Sequence, residues 1–163
     1  MPLPLPPACA GCPAQASGWG RGYVPGCGPQ NAQVAFVGQG PGEQEHWAGT
    51  PFVGPSGVRF NGWLAKAGFQ RSAVWVDNVV RCWLPKSVDP AMLGNRPPTP
   101  AEVAPCTRVH LSHSLAALPN LRLVITVGMA AADWGLGRVA TMDDAGTVGD
   151  LWLPFPLASG ASM

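Results

Sequence analysis

"VAFVGQGPGEQEHWAGTPFVG", residues 34–54, decides how this chain is read. Val34 to Val37 form an apolar β-type run that breaks into Gly38-Gln39-Gly40-Pro41-Gly42. A glycine-rich loop after a strand commonly cradles phosphate. Here Glu43 and Glu45 follow at once, and carboxylates repel a polyphosphate. A P-loop requires Lys and Ser/Thr after its glycines, where this chain has Glu43, Gln44 and Glu45. A dinucleotide fingerprint requires G-x-G-x-x-G opening a helix. This loop reads G-x-G-x-G, and no helix is expected directly after it. Two readings remain: a tight turn without a ligand, or a cradle for a neutral planar ligand met by backbone N–H groups and a nearby aromatic ring.

Working outward, "SGVRFNGWLAKAGF" (56–69) places Val58, Phe60, Trp63, Leu64 and Ala67 on roughly one helical face, and Gly68 can end that helix. "AVWVDNVV" (73–80) reads as a second strand. The stretch 84–100 is too rich in proline for regular structure and reads as an inserted loop. A helix is expected from about Pro100 to Leu118, capped by Thr99, with Pro100 and Glu102 in its first turn. "LRLVITVG" (121–128) is a buried strand, "MAAADWGLG" a short helix, and "DLWLP" (150–154) a last strand. Alternating strands and helices predict an α/β fold of three layers, α/β/α, around a central, mostly parallel sheet. Sites in such folds form at the C-terminal ends of the strands. The loops after Val37 and near Asn78, and the chain after Pro154, are therefore expected at one edge.

The 163 residues suffice for one domain with a substantial core, and 47% are hydrophobic, which excludes a disordered chain. Residues 1–7 are expected to be disordered and 8–163 to form the single domain. Abundant glycine (21) and proline (19) predict long ordered loops. A net charge of +1 means that any basic footprint for nucleic acid has to be local. No apolar run reaches the length of a membrane span, and "MPLPLPPACAGCPA" lacks the basic start of a signal peptide. The expected location is cytoplasmic. There the five cysteines read as metal ligands or buried apolar residues rather than disulfides.

Cys9-x-x-Cys12, Cys82 at the end of the second strand and Cys106 in the following helix could together bind zinc or an iron–sulfur cluster. On spacing alone, Cys82 and Cys106 read equally as small buried hydrophobes. Cys27 has no obvious mate and reads as structural. Asn78, at a strand end, offers a donor and an acceptor side by side. Uracil presents the complement, O4 beside N3–H, although an Asn in this position is more often a turn residue.

Taken together, C-x-x-C, "FVGQGPGEQE", "GTPFVGPSG", "DNVVRC" and "NRPPTPAEVAPC" resemble the uracil-DNA glycosylase superfamily, in its iron–sulfur, family 4-like branch. The ordered match runs from residue 9 to about 128. The resemblance implies a DNA-repair hydrolase that cleaves the N-glycosidic bond of uracil flipped out of DNA. It implies that the backbone at Gln39 and Gly40 faces uracil O2 and the attacking water. By the same likeness, Glu45 crowds the C5 edge against a thymine methyl, Phe52 stacks on the base and Asn78 reads its Watson–Crick edge. Cys9, Cys12, Cys82 and Cys106 would ligate a [4Fe–4S] cluster, with zinc as the alternative. Gly40 stands where some relatives place an Asp, so catalysis would rest mainly on stabilising the leaving base. The partner is uracil-containing DNA, and the protein is expected to be a monomer.

The chain departs from the family in its second motif, His-Pro-Ser. "LPFPLASGAS" puts Leu157 in place of His and Ala158 in place of Pro, while Ser159 and Gly160 fit. Leucine donates no hydrogen bond to uracil O2. The chain also ends at Met163, where relatives continue, and so is expected to be C-terminally short. The alternative reading is therefore a non-catalytic or weakened relative that holds uracil-containing or single-stranded DNA. Among the remaining residues, His110 and His113 are expected to face solvent and His46 to lie near the site without a catalytic role. Arg71, Arg81, Lys86 and Arg96 read as phosphate contacts or solvated surface. Trp47, Trp63, Trp75, Trp83, Trp134 and Trp152 read as core or rim.

Overall fold

The computed structural model describes residues 1–18, 20–86 and 94–137. Its elements are α1 (Pro13–Ala16), β1 (Val34–Gly38), α2 (Glu43–Ala48), α3 (Pro55–Lys66), β2 (Trp75–Asn78), α4 (Pro100–Cys106), α5 (Ser112–Ala116), β3 (Leu123–Thr126) and α6 (Met129–Leu136). The strands form one parallel sheet in the order β2-β1-β3. Ala35 is level with Trp75 and Val124, and Phe36 with Val76 and Ile125.

Period-two alternation splits these residues between two cores. Ala35, Val37, Trp75 and Val79 pack with Leu111, Leu115 and Ala131 on one face. Phe36, Val74 and Val76 pack with Phe60 and Leu64 on the other. Because both their faces are covered, β1 and β2 read as continuous apolar runs, whereas β3, expected to be buried, is half-exposed, with Leu123 45% exposed. The chain leaves central β1 for β2 on one side and returns to β3 on the other. Its C-terminal edge near Gly38 is therefore the topological switch point.

Several expectations change. A helix does follow the glycine loop: α2 starts at Glu43, with Gly42 at its N-cap. Glu45 makes this possible by accepting the Gly42 N–H in its carboxylate (3.0 Å). The buried face of α3 is Gly57, Phe60 and Leu64, whereas Val58 and Trp63 are 70% and 58% exposed. Val58 lies on the opposite side of the helix from Phe60, so counting apolar residues overestimated the stripe. Gly68, at φ +78, turns the chain after α3, and the Phe69 N–H returns to the Leu64 carbonyl (2.9 Å).

The helix expected over 100–118 runs as α4, a π turn at Thr107–Leu111, and α5. Pro105 withholds one N–H inside it, and Thr107 Oγ1 donates to the Val103 carbonyl (2.9 Å). The Glu102 carboxylate accepts from the N–H and hydroxyl of Thr99, which fixes the start of α4. The ends of the proline-rich loop pair, with the Lys86 N–H on the Gly94 carbonyl and the Arg96 N–H on the Leu84 carbonyl. The strand expected at 150–154, with Trp152, Leu157 and Ser159, lies outside the described residues. No helix among the described residues is long and apolar enough to cross a membrane.

Candidate base-binding pocket and cysteine centre

A cleft of about 500 Å³ opens at the switch point, lined among others by Gly38, Gln39, Gly40, Glu45, Phe52, Asn78 and Trp83. Strand register puts Asn78 level with Gly38. A Cβ on Gly38 would lie 2.7 Å from both Asn78 Oδ1 and Phe52 Cζ. Glycine is thus what lets the Asn amide and the aromatic ring converge on the strand end. Phe52 is held at φ 59, a left-handed conformation uncommon for an aromatic residue. Its carbonyl presses onto Gly57, where a Cβ would approach to 2.0 Å. Its ring packs on Phe60 with centroids 4.7 Å apart. Backbone strain held this way by neighbours is found where a side chain has to be aimed.

Glu45 is buried at the wall of this cleft. Oε1 accepts the Gly54 N–H (2.8 Å) and Oε2 the Gly42 N–H. The carboxylate therefore ties the glycine loop to the segment carrying Phe52. The carbonyls of Gly38 and Gln39 accept from the N–H groups of Val79 and Val80. That prolongs the pairing of β1 and β2 beyond the strands and leaves the N–H groups of Gln39 and Gly40 without a protein acceptor among the described residues.

Sequence reasoning missed the support beneath Asn78. Asp77 and Arg81 are 1% and 5% exposed and form a two-pronged ion pair. Asp77 Oδ1 also accepts the Asn78 N–H (2.8 Å). Burial pushes the Asp77 carboxyl up, against the pull of Arg81. Arg81 is thus neither a phosphate contact nor solvated surface. It is saturated inside the fold, donating also to Tyr23 Oη (2.8 Å) and Ser114 Oγ (2.5 Å). The visible signal was an Asp inside an apolar strand, since a carboxylate there has to find a cation. Arg96 pairs with Glu102, whose carboxyl this partner holds down at about 2.

Cys9, Cys12, Cys82 and Cys106 line a second, small cavity together with Ala14, Tyr23 and Arg81. No group of three or more His, Cys, Asp or Glu side chains among the described residues is spaced to hold a single metal ion. The cavity they share measures about 20 Å³. The donor set nevertheless fits a thiophilic group, with four thiols from three chain segments facing one apolar void. Burial above all, with the neighbouring cysteines adding, pushes the Cys82 and Cys106 thiols up to about 12, at Cys106 against the pull of Arg81. A bound metal cation would stabilise them as thiolates.

His110 does not face solvent. It is 9% exposed, with Nε2 3.2 Å from Cys9 Sγ and Nδ1 3.4 Å from Tyr23 Oη. The offset in helical phase introduced by the π turn was not visible in the sequence. His46 is buried beside Trp47 and Trp83, does not line the cleft, and has no partner for Nδ1 among the described residues. Cys27 accepts from Arg71 (3.4 Å) and pairs with Val76, away from the other four cysteines.

Residues 25–162 match the uracil DNA glycosylase superfamily. The chain belongs to that family, and its parallel sheet between helices agrees with the family's α/β fold. It is similar to proteins named type-4 uracil-DNA glycosylase. One, from Archaeoglobus fulgidus, is 37% identical over 112 residues, which is 69% of this chain and 51% of that protein. Another, from Thermotoga maritima, is 33% identical over 123 residues, 76% of this chain and 58% of that protein. A third, from Pyrobaculum aerophilum, is 33% identical over 124 residues, 76% and 57%. The chain thus spans about half the length of the curated relatives it matches.

Proposed function

We propose that the cleft at the ends of β1 and β2 holds uracil flipped out of DNA, and that the protein hydrolyses its N-glycosidic bond. One observation carries this reading: Gly38 brings the Asn78 amide and the Phe52 ring to the same strand end. A base stacked on Phe52 offers its O4 and N3–H edge to Asn78, whose side chain can answer both. Glu45, locked by two backbone amides, makes a rigid wall at C5 that rejects a methyl group. Its charge, like that of Glu43, tolerates a neutral base and repels phosphate.

In the reaction the C1′–N1 bond breaks and its electron pair leaves with uracil. Water adds to C1′, and its proton passes to solvent or to the departing base. The unclaimed N–H groups of Gln39 and Gly40 are the donors available to the developing charge on O2, and a dry pocket strengthens them. By the resemblance, Leu157 stands where relatives carry a donor His, so the rate is expected to fall roughly 10²–10³-fold below that of a site with that donor.

Cys9, Cys12, Cys82 and Cys106 would hold a [4Fe–4S] cluster, with zinc as the alternative. Such a group would tie the N-terminal segment to the chain after β2 and to α4. The resemblance to type-4 enzymes and the shared cavity support this assignment.

The test is chromatographic detection of free base after incubation with single-stranded oligonucleotides carrying one uracil or thymine. Slow release of uracil and none of thymine is expected. Tight uracil-dependent binding without release would identify a binding protein instead.

A further inference from the structure

We propose that the cysteine centre and the base pocket form one coupled unit, joined by the largely buried chain Cys9–His110–Tyr23–Arg81–Asp77–Asn78, so that ligation of the thiols sharpens discrimination for uracil. This rests on the function proposed above. Each link is a hydrogen bond or ion pair. Asn78 donates its N–H to Asp77 (2.8 Å), Asp77 pairs with Arg81, and Arg81 donates to Tyr23 Oη (2.8 Å). Tyr23 Oη meets His110 Nδ1 at 3.4 Å, and His110 Nε2 meets Cys9 Sγ at 3.2 Å.

The direction of the chain follows from Arg81. A guanidinium has only donors, so Tyr23 accepts from it and turns its own proton to His110 Nδ1. That leaves the imidazole proton on Nε2, aimed at the sulfur. An N–H directed at a ligand sulfur orients and stabilises it in the ligating form. A second connection runs along the backbone. Arg81 precedes Cys82, and its carbonyl accepts the Val24 N–H (2.7 Å), next to Tyr23. Fixing Cys9 and Cys82 therefore fixes Arg81 from both ends. Arg81 in turn fixes Asp77, which is fully buried and holds the amide of the residue that reads the base. Tyr23 is a positioning residue. Its ring also packs on His110 (centroids 5.2 Å apart) and lies under the Arg81 guanidinium (5.8 Å). Tyr23→Phe keeps those contacts and removes only the hydroxyl link.

The experiment compares wild type, Tyr23→Phe and His110→Phe, each as purified anaerobically and after metal removal by a chelator under reducing conditions. Iron and zinc content, far-UV circular dichroism and binding are measured. Binding is read as the ratio of Kd values for thymine and uracil single strands, using 2′-fluorinated nucleotides that resist cleavage. In wild type, metal removal should lower this ratio about tenfold. Both variants should show the lowered ratio while still loaded, with little further change on stripping. Where stripping unfolds the protein, the loaded variants against loaded wild type decide. The proposal is overturned if loaded Tyr23→Phe matches loaded wild type, or if stripping lowers all three proteins by the same factor. Metal analysis separates the failures. A wild type that holds metal and prefers uracil without coupling overturns the coupling alone. A wild type with no metal, or no uracil preference, overturns the underlying reading as well.

Discussion

At the scale of single residues, three side chains define the pocket, and each has a distinct physical task. Phe52 supplies a stacking face, and Phe52→Ala should weaken binding of a uracil-containing strand by about 1–3 kcal/mol, measured by fluorescence anisotropy. Glu45 is a tie more than a ligand, because both its oxygens are committed to backbone amides. Glu45→Ala should therefore lower thermal stability by about 1–3 kcal/mol, since it leaves two N–H groups unpaired. Asn78 is the proposed reader of the base, and Asp77, paired with Arg81, holds its backbone N–H. That Glu45, Phe52 and Asn78 gather at one cleft was to be expected from the order of the motifs. The geometry of Glu45 was not, because nothing local says that a carboxylate reaches nine residues along the chain to Gly54.

At the scale of elements, close packing sets the aim of Phe52. Gly57, in the first turn of α3, meets the Phe52 carbonyl where a Cβ would stand 2.0 Å away. Gly57→Ala should push the two segments apart, weaken uracil binding as much as Phe52→Ala does, and cost stability, as seen in a thermal melt. The Arg96–Glu102 pair anchors the start of α4 and gives a pH signature. The Glu102 carboxyl sits at about 2 instead of 4.5, chiefly through its hydrogen bond with Arg96. A lowered carboxyl pKa contributes stability fully above the ordinary value and loses it as pH falls through the folded one. Acid titration should show a loss of about 1–3 kcal/mol between those two values, and Glu102→Gln should abolish that limb. The strands β1, β2 and β3 and the capped helix at 100 were legible because short apolar runs, Thr99 and Glu102 are local signals. The π turn and the burial of His110 were not, because they depend on how a proline-bearing helix meets a segment about a hundred residues earlier.

At the scale of the whole molecule, the parallel order β2-β1-β3 places the cleft at the end of β1 and β2, and the chain leaving β2 runs on to the cysteine cavity. β2 carries Asn78 at its end, and four residues later the chain supplies Cys82. Protein purified without oxygen should be brown. Cys9→Ser or Cys82→Ser should remove that absorption and lower stability, while Cys27→Ser leaves both unchanged. Colourless protein with one equivalent of zinc would replace the cluster by the metal. That four distant cysteines meet could be expected only from the family resemblance, since spacing left them equally readable as core.

The central claim is that the switch-point cleft is the uracil site, and the most direct measurement compares uracil with thymine binding in wild type and Asn78→Ala. Wild type should favour the uracil strand. Asn78→Ala should bind both strands alike, because a buried uracil edge then loses its donor and its acceptor together. An unchanged preference for uracil in Asn78→Ala, in protein with wild-type circular dichroism, would contradict the assignment and place the base elsewhere.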